Sequence, residues 1–94
     1  IKDYSKAIEL DPQFAMAYYN RGIVYGRLSN YQQEIKDYSK VIELNAQYIN
    51  AYKNRAIAYS KLGNEKKALE DVKIAAKLGD KEAQDFLRER GIAW

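Results

Sequence analysis

The chain has no cysteine and no histidine, and only one proline, one methionine and one tryptophan among 94 residues. Each shortage removes a kind of chemistry. Without cysteine there is no disulfide, no thiolate nucleophile and no sulfur-ligated zinc, and nothing marks the redox compartment. Without histidine the commonest general base and metal ligand is missing as well. Ser5, Ser39 and Ser60 therefore have no imidazole to activate them. The glycines, Gly22, Gly26, Gly63, Gly79 and Gly91, never cluster into a phosphate-binding loop. Neighbouring acids such as Glu9/Asp11 and Glu70/Asp71 point in different directions on a helix. The residues predict no enzyme and neither a cofactor nor a metal site.

Long apolar runs are lacking too. None approaches the roughly 20 residues that span a bilayer, and Ile1-Lys2-Asp3-Tyr4 has neither the basic start nor the apolar stretch of a secretion signal. A soluble single domain without a membrane partner is expected, with the cytoplasm the favoured compartment. Sixteen Lys+Arg against 13 Asp+Glu leave a net charge of +3. The signs are interspersed, as in Glu65-Lys66-Lys67 and Arg88-Glu89-Arg90, without the basic block that grips nucleic acid.

What the chain does have is repetition. Ile1-Lys2-Asp3-Tyr4-Ser5-Lys6-Ala7-Ile8-Glu9-Leu10 returns as Ile35-Lys36-Asp37-Tyr38-Ser39-Lys40-Val41-Ile42-Glu43-Leu44, a shift of 34 residues with only Ala7/Val41 changed. Ala17-Tyr18-Tyr19-Asn20-Arg21-Gly22-Ile23-Val24-Tyr25 faces Ala51-Tyr52-Lys53-Asn54-Arg55-Ala56-Ile57-Ala58-Tyr59 at the same offset. Apolar or small residues fall at 18, 22, 25 and 28, and again at 52, 56, 59 and 62, the spacing of one helical face. A second stripe runs through 31, 35, 38, 41 and 42, and its counterpart through 68, 69, 72, 75 and 76. Ser29-Asn30 and Gly63-Asn64 supply the turns between paired helices, and Asp11-Pro12 separates the first helix from the next. No strand pattern is present. An all-α stack of antiparallel helix pairs is predicted.

A 34-residue period with these residues in register resembles the tetratricopeptide repeat (TPR). Tyr18 and Tyr52 match the family's bulky aromatic, Gly22 and Ala56 its first small position, and Tyr25 and Tyr59 its first-helix tyrosine. Tyr38 matches the second-helix aromatic, Val41 and Ala75 the later small position, and Pro12 the closing proline. The resemblance covers residues 1 to about 80 and implies a right-handed TPR superhelix. On that register residues 1–14 hold the second helix of a partial repeat. Residues 15–48 and 49–80 are full repeats, and 81–94 form a capping helix and tail. Asp80 is the expected N-cap of that last helix and Gly91 its stop, with Phe86, Leu87 and Trp94 covering the core.

Two departures from the family pattern stand out. Glu34 replaces a small residue at the close contact within a repeat, where its counterpart is Ala68. An unpaired buried carboxylate is costly, so Arg21 or Arg55 is the expected partner unless Glu34 turns to solvent. Ala46 replaces the proline, which makes one continuous helix from Tyr31 to Leu62 conceivable and with it helix exchange between chains around Asn45-Ala46-Gln47.

The family's use of its first helices implies the function: a non-catalytic scaffold that binds a peptide or partner protein in a concave groove. The positions carried over are Met16, Tyr19, Asn20, Ile23 and Arg27 from one repeat, and Asn50, Lys53, Asn54, Ile57 and Lys61 from the next. Their amides and cations suit a ligand of acidic character. The carboxylate clamp that some family members use is not reproduced: Asn20 fits its central asparagine, but Asn50 and Asn54 stand where lysine and arginine belong. Self-association through the uncovered N-terminal helix or through helix exchange is the alternative. Binding of RNA or single-stranded DNA, with Tyr19 stacking beside Arg27 and Lys53, is the second alternative.

Overall fold

The computed structural model describes residues 2–94, so Ile1 of the repeated segment lies outside the described residues. Six helices follow one another: α1 (Lys2–Leu10), α2 (Ala15–Arg27), α3 (Tyr31–Leu44), α4 (Ile49–Lys61), α5 (Glu65–Lys77) and α6 (Lys81–Glu89). No strand occurs among the described residues. Each helix packs on its sequence neighbour, and the stack measures 44 × 24 × 16 Å.

The same local chemistry closes both hairpins. After α2 the chain turns through Ser29 (φ 59°), and after α4 through Gly63 (φ 81°), the left-handed conformation that ends a helix. Asn30 and Asn64 then cap the following helices, their side chains accepting from the backbone N–H of Gln33 and Lys67. Asp80 caps α6 by accepting from Ala83 N at 2.9 Å. Gly91 (φ 67°) ends it, as Ile92 N donates back to Leu87 O at 2.9 Å.

The continuous helix from Tyr31 to Leu62 does not form. Asn45 takes an extended backbone (φ −150°, ψ 96°) at the end of α3, and its side chain accepts from Gln47 N at 3.1 Å. Tyr48 N closes the turn on Asn45 O, and the Tyr52 hydroxyl donates to Ala46 O at 2.9 Å. The turn around Pro12 is built alike, with Gln13 N on the Asp11 side chain and Phe14 N on Asp11 O. An asparagine that offers both backbone and side-chain acceptors does the work of the absent proline.

Two apolar clusters make the core. Tyr38, Val41 and Ala51 anchor one, and Tyr52, Ala75, Ala76, Ala83 and Leu87 the other. Leu87 is fully buried and seals the end of the stack. Phe86 and Trp94, expected to help it, are exposed: Phe86 sits off the inward face that Ala83 and Leu87 define, and Trp94 lies beyond the end of α6. Leu28 and Leu62 are exposed as well, since each sits past the last helical residue of its hairpin. No described residue of α1 is fully buried.

The arginines bridge three helices each. Arg21 donates to both carboxylate oxygens of Asp37, at 2.9 and 2.7 Å, and to the Ser5 hydroxyl at 3.2 Å. Arg55 repeats this with Asp71, at 2.8 and 2.7 Å, and with Ser39 at 3.0 Å. Neither arginine pairs with Glu34, because the aspartates offer each guanidinium a two-point match. Glu34 is nonetheless buried and accepts from the Tyr38 hydroxyl at 3.0 Å. Burial holds its carboxyl above the usual carboxylate range, and that hydrogen bond offsets the effect only in part.

Candidate functional site: the first-helix face

The ten residues assigned to the groove lie on α2 and α4, but the structure divides them. Tyr19 lies in tilted aromatic contact with Tyr38 and Tyr48, with ring centroids 5.8 and 5.1 Å away. Its hydroxyl accepts from the Asn54 side-chain amide at 3.0 Å. Tyr19 and Asn54 thus satisfy each other across the repeat boundary, and a base could not stack freely on a ring so enclosed. Tyr19 and Tyr48, which the repeat pattern leaves outside its packing positions, are packing residues here.

Lys53 is engaged too. Its ammonium lies 3.0 Å from Glu82 and 3.3 Å from Asp80, so it fastens α4 to α6. The hydrogen bond to Glu82 is the main cause that raises its pKa above the ordinary lysine value. Asn20 and Ile23 are half-buried on α2, and Ile23 packs against the Tyr38 cluster. Met16, exposed, receives the Tyr48 hydroxyl on its sulfur at 3.7 Å.

Arg27, Asn50, Ile57 and Lys61 remain open to solvent. Ile57 is 58% exposed, which is unusual for a large aliphatic side chain in the middle of a helix. Arg27 and Lys61, equivalent positions in successive repeats, make no ion pair among the described residues.

Beside Ile57 and Lys61 an open cleft of about 530 Å³ lies between α4, α5 and α6. Ala56, Ile57, Ala68, Leu69, Val72, Ala83 and Phe86 give it an apolar lining, and Lys53, Lys61, Glu65 and Glu82 line it with charge of both signs. Carrying over first-helix positions misses the α5 and α6 contributions. The signal for them lay in the repeat itself, in the large-to-small changes Tyr38/Val72 and Glu34/Ala68. In the preceding repeat that same space is taken. A Cβ on Gly22 would lie 2.7 Å from the Tyr38 ring, and one on Gly26 2.5 Å from the Glu34 carboxylate.

Comparison with known proteins agrees with this architecture. A family model described as TPR repeat matches residues 1–29. The TPR domain of Arabidopsis OM64 is 30% identical, and the match covers 87% of this chain and 69% of that one with a TM-score of 0.80. The first TPR of Spaghetti (RPAP3), bound to the HSP90 peptide SRMEEVD, is 28% identical with a TM-score of 0.81, the match covering 92% of this chain and 70% of that one. MamA is 31% identical with a TM-score of 0.80 over 86% of this chain, which spans only 47% of the MamA chain. No curated protein sequence matches. The fold is thus that of an α-helical repeat protein with an open first-helix face. The chain belongs to the tetratricopeptide-repeat family.

Proposed function

We propose that the chain is a non-catalytic scaffold that holds a peptide segment of a partner protein on its first-helix face. One observation carries the reading: Ile57 stands 58% exposed at the edge of the α4/α5/α6 cleft. Exposed aliphatic side chains beside a concave apolar surface are the usual mark of a protein-binding site. A similar domain, the first TPR of Spaghetti (RPAP3), is bound to the HSP90 peptide SRMEEVD. The clamp pattern is not reproduced here, and the amide of Asn54 is already committed to Tyr19. The ligand chemistry is therefore this chain's own.

The test is capture from native extract on the immobilised chain, with the Ile57→Asp form alongside. Ile57 is exposed, so its replacement leaves the fold intact and changes only the face. Proteins held by the parent chain and lost by the variant establish the site. Equal capture by both forms moves it to another surface.

A further inference from the structure

We propose that the bare side of α1 docks one helix of a partner chain, a helix that carries a tyrosine, an arginine two positions on and a glycine next, with the arginine seated on Asp3. This surface is separate from the α4/α5/α6 cleft and goes beyond the peptide-holding function above. The chain presents the same surface twice, once covered and once open.

The covered copy centres on α3. Asp37 and Tyr38 are both buried there, beneath α2. Arg21 donates to the two Asp37 oxygens, and Gly22 leaves the room that the Tyr38 ring takes. Tyr19 lies against the rings of Tyr38 and Tyr48, and its hydroxyl accepts from the Asn54 amide at 3.0 Å. Three residues of one helix, Tyr19, Arg21 and Gly22, thus satisfy four residues around them: a carboxylate, two rings and an amide.

Those four recur 34 residues earlier as Asp3, Tyr4, Phe14 and Asn20, with only the Tyr48 phenol exchanged for a phenyl. The backbone register is kept, because Ser5 accepts from Arg21 just as Ser39 accepts from Arg55. Here, however, the surface has no cover. Asp3 is exposed and makes no ion pair among the described residues, Phe14 is 44% exposed, and Asn20 makes no side-chain hydrogen bond among the described residues. Lys2 and Lys6 flank Asp3, but Lys36 and Lys40 flank Asp37 in the same way, and Arg21 binds it nonetheless. Lys6 also turns to Glu9, as Lys40 turns to Glu43. Matching side chains at matching positions select a matching cover. The carboxylate takes a guanidinium at two points, the Tyr4 ring needs a glycine opposite it, and Phe14 and the Asn20 amide suit a phenol.

The test uses fluorescence anisotropy with a labelled, acetylated and amidated peptide of residues 13–30, the chain's own α2 sequence, added to the whole chain. Binding is expected, and Asp3→Asn in the chain should weaken it about tenfold, the worth of a two-point charged hydrogen bond. Asn20→Ala should weaken it several-fold. A Gly22→Leu peptide should not bind. The charge exchange is the sharper readout: Asp3→Arg should lose the parent peptide and hold an Arg21→Asp peptide better than the parent chain does. That gain cannot come from a variant that merely loosens α1.

No binding of the α2 peptide overturns the proposal. Equal binding by the parent chain and Asp3→Asn overturns it too, since displacement of the chain's own α2 would answer to Asp37 and not to Asp3. Binding that is lost in Ile57→Asp and kept in Asp3→Asn places the peptide in the cleft instead. If sedimentation shows that the chain alone forms dimers and that Asp3→Asn makes it monomeric, a second copy covers α1 and the partner helix is ruled out.

Discussion

Gly22 and Tyr38 are fitted to each other across the α2/α3 interface. The Tyr38 ring lies where a side chain on residue 22 would begin, with its nearest atom 2.7 Å from an ideal Cβ. The ring is held on its far side by Tyr19 and at its hydroxyl by Glu34. It has no room to retreat. One repeat on, the pair is Ala56 and Val72, an alanine facing a much smaller partner, and both line the open cleft.

Gly22→Ala should therefore destabilise the fold by about 1–3 kcal/mol, the usual cost of overpacking, although alanine is the better helix former. Tyr38→Val alone empties that site and strands the buried Glu34 carboxylate, so it too is destabilising. The double variant should lose less than the sum of the two single losses, because the overpacking is gone. Urea unfolding of the two single variants and the double variant checks this. Additive effects would mean that the two sites are not coupled.

The second expectation concerns Arg55 and Asp71. Asp71 is 2% exposed, and its only described cation is Arg55. Arg55→Ala leaves that carboxylate buried and unpaired, at a cost of about 3–5 kcal/mol. Removing both partners should cost distinctly less than removing the arginine alone. Thermal melts at one protein concentration suffice to measure it.

Glu34 gives a pH dependence of known sign. Its folded-state pKa is raised above the ordinary 4.5, so the folded chain holds this proton more tightly than the unfolded chain does. The penalty from ionised Glu34 is absent below that ordinary value and grows as pH rises through the folded pKa. Glu34→Gln keeps the acceptor for the Tyr38 hydroxyl and removes the charge. It should be more stable than the parent at pH 7, by up to about 1 kcal/mol, and the gap should close on acidification. Denaturant midpoints at pH 7 and pH 4 decide it.

The α3–α4 turn invites a stabilising change. Asn45 already has the extended backbone that a following proline requires, and the turn matches the one around Pro12. Ala46→Pro should therefore raise stability by about 0.4–1 kcal/mol through the unfolded chain. A fall in melting temperature would show that the two turns differ at residue 46.

The fold was legible because the repeat states it twice. Ser29-Asn30 and Gly63-Asn64 mark the turns, Asp80 announces the last helix, and the apolar stripes of α3 and α5 name the second-helix core. The site was harder to read. A register position tells which face a side chain occupies but not what it touches. Tyr19 and Asn54 sit where ligand residues would sit, yet they bond to each other at 3.0 Å. Lys53 carries the right charge, but Asp80 and Glu82 arrive from a helix that the carried-over positions do not include. The arginine partners were misread for a related reason. Glu34 drew notice as an anomaly, whereas Asp37 and Asp71, one period apart, were the regular acceptors. What a single sequence conceals is pairing between elements, since several partners fit the same spacing.

The three-helix arginine bridges have a consequence for how the chain opens. Arg55 links α3, α4 and α5 around a nearly inaccessible aspartate, but α1 is held to Arg21 by the Ser5 hydroxyl and has no fully buried residue of its own. Protection against hydrogen exchange should therefore climb from α1 toward α4 and α5. The cleft lies at the well-protected end. Opening of α1 leaves the cleft's walls standing, because none of its lining residues lies on that helix.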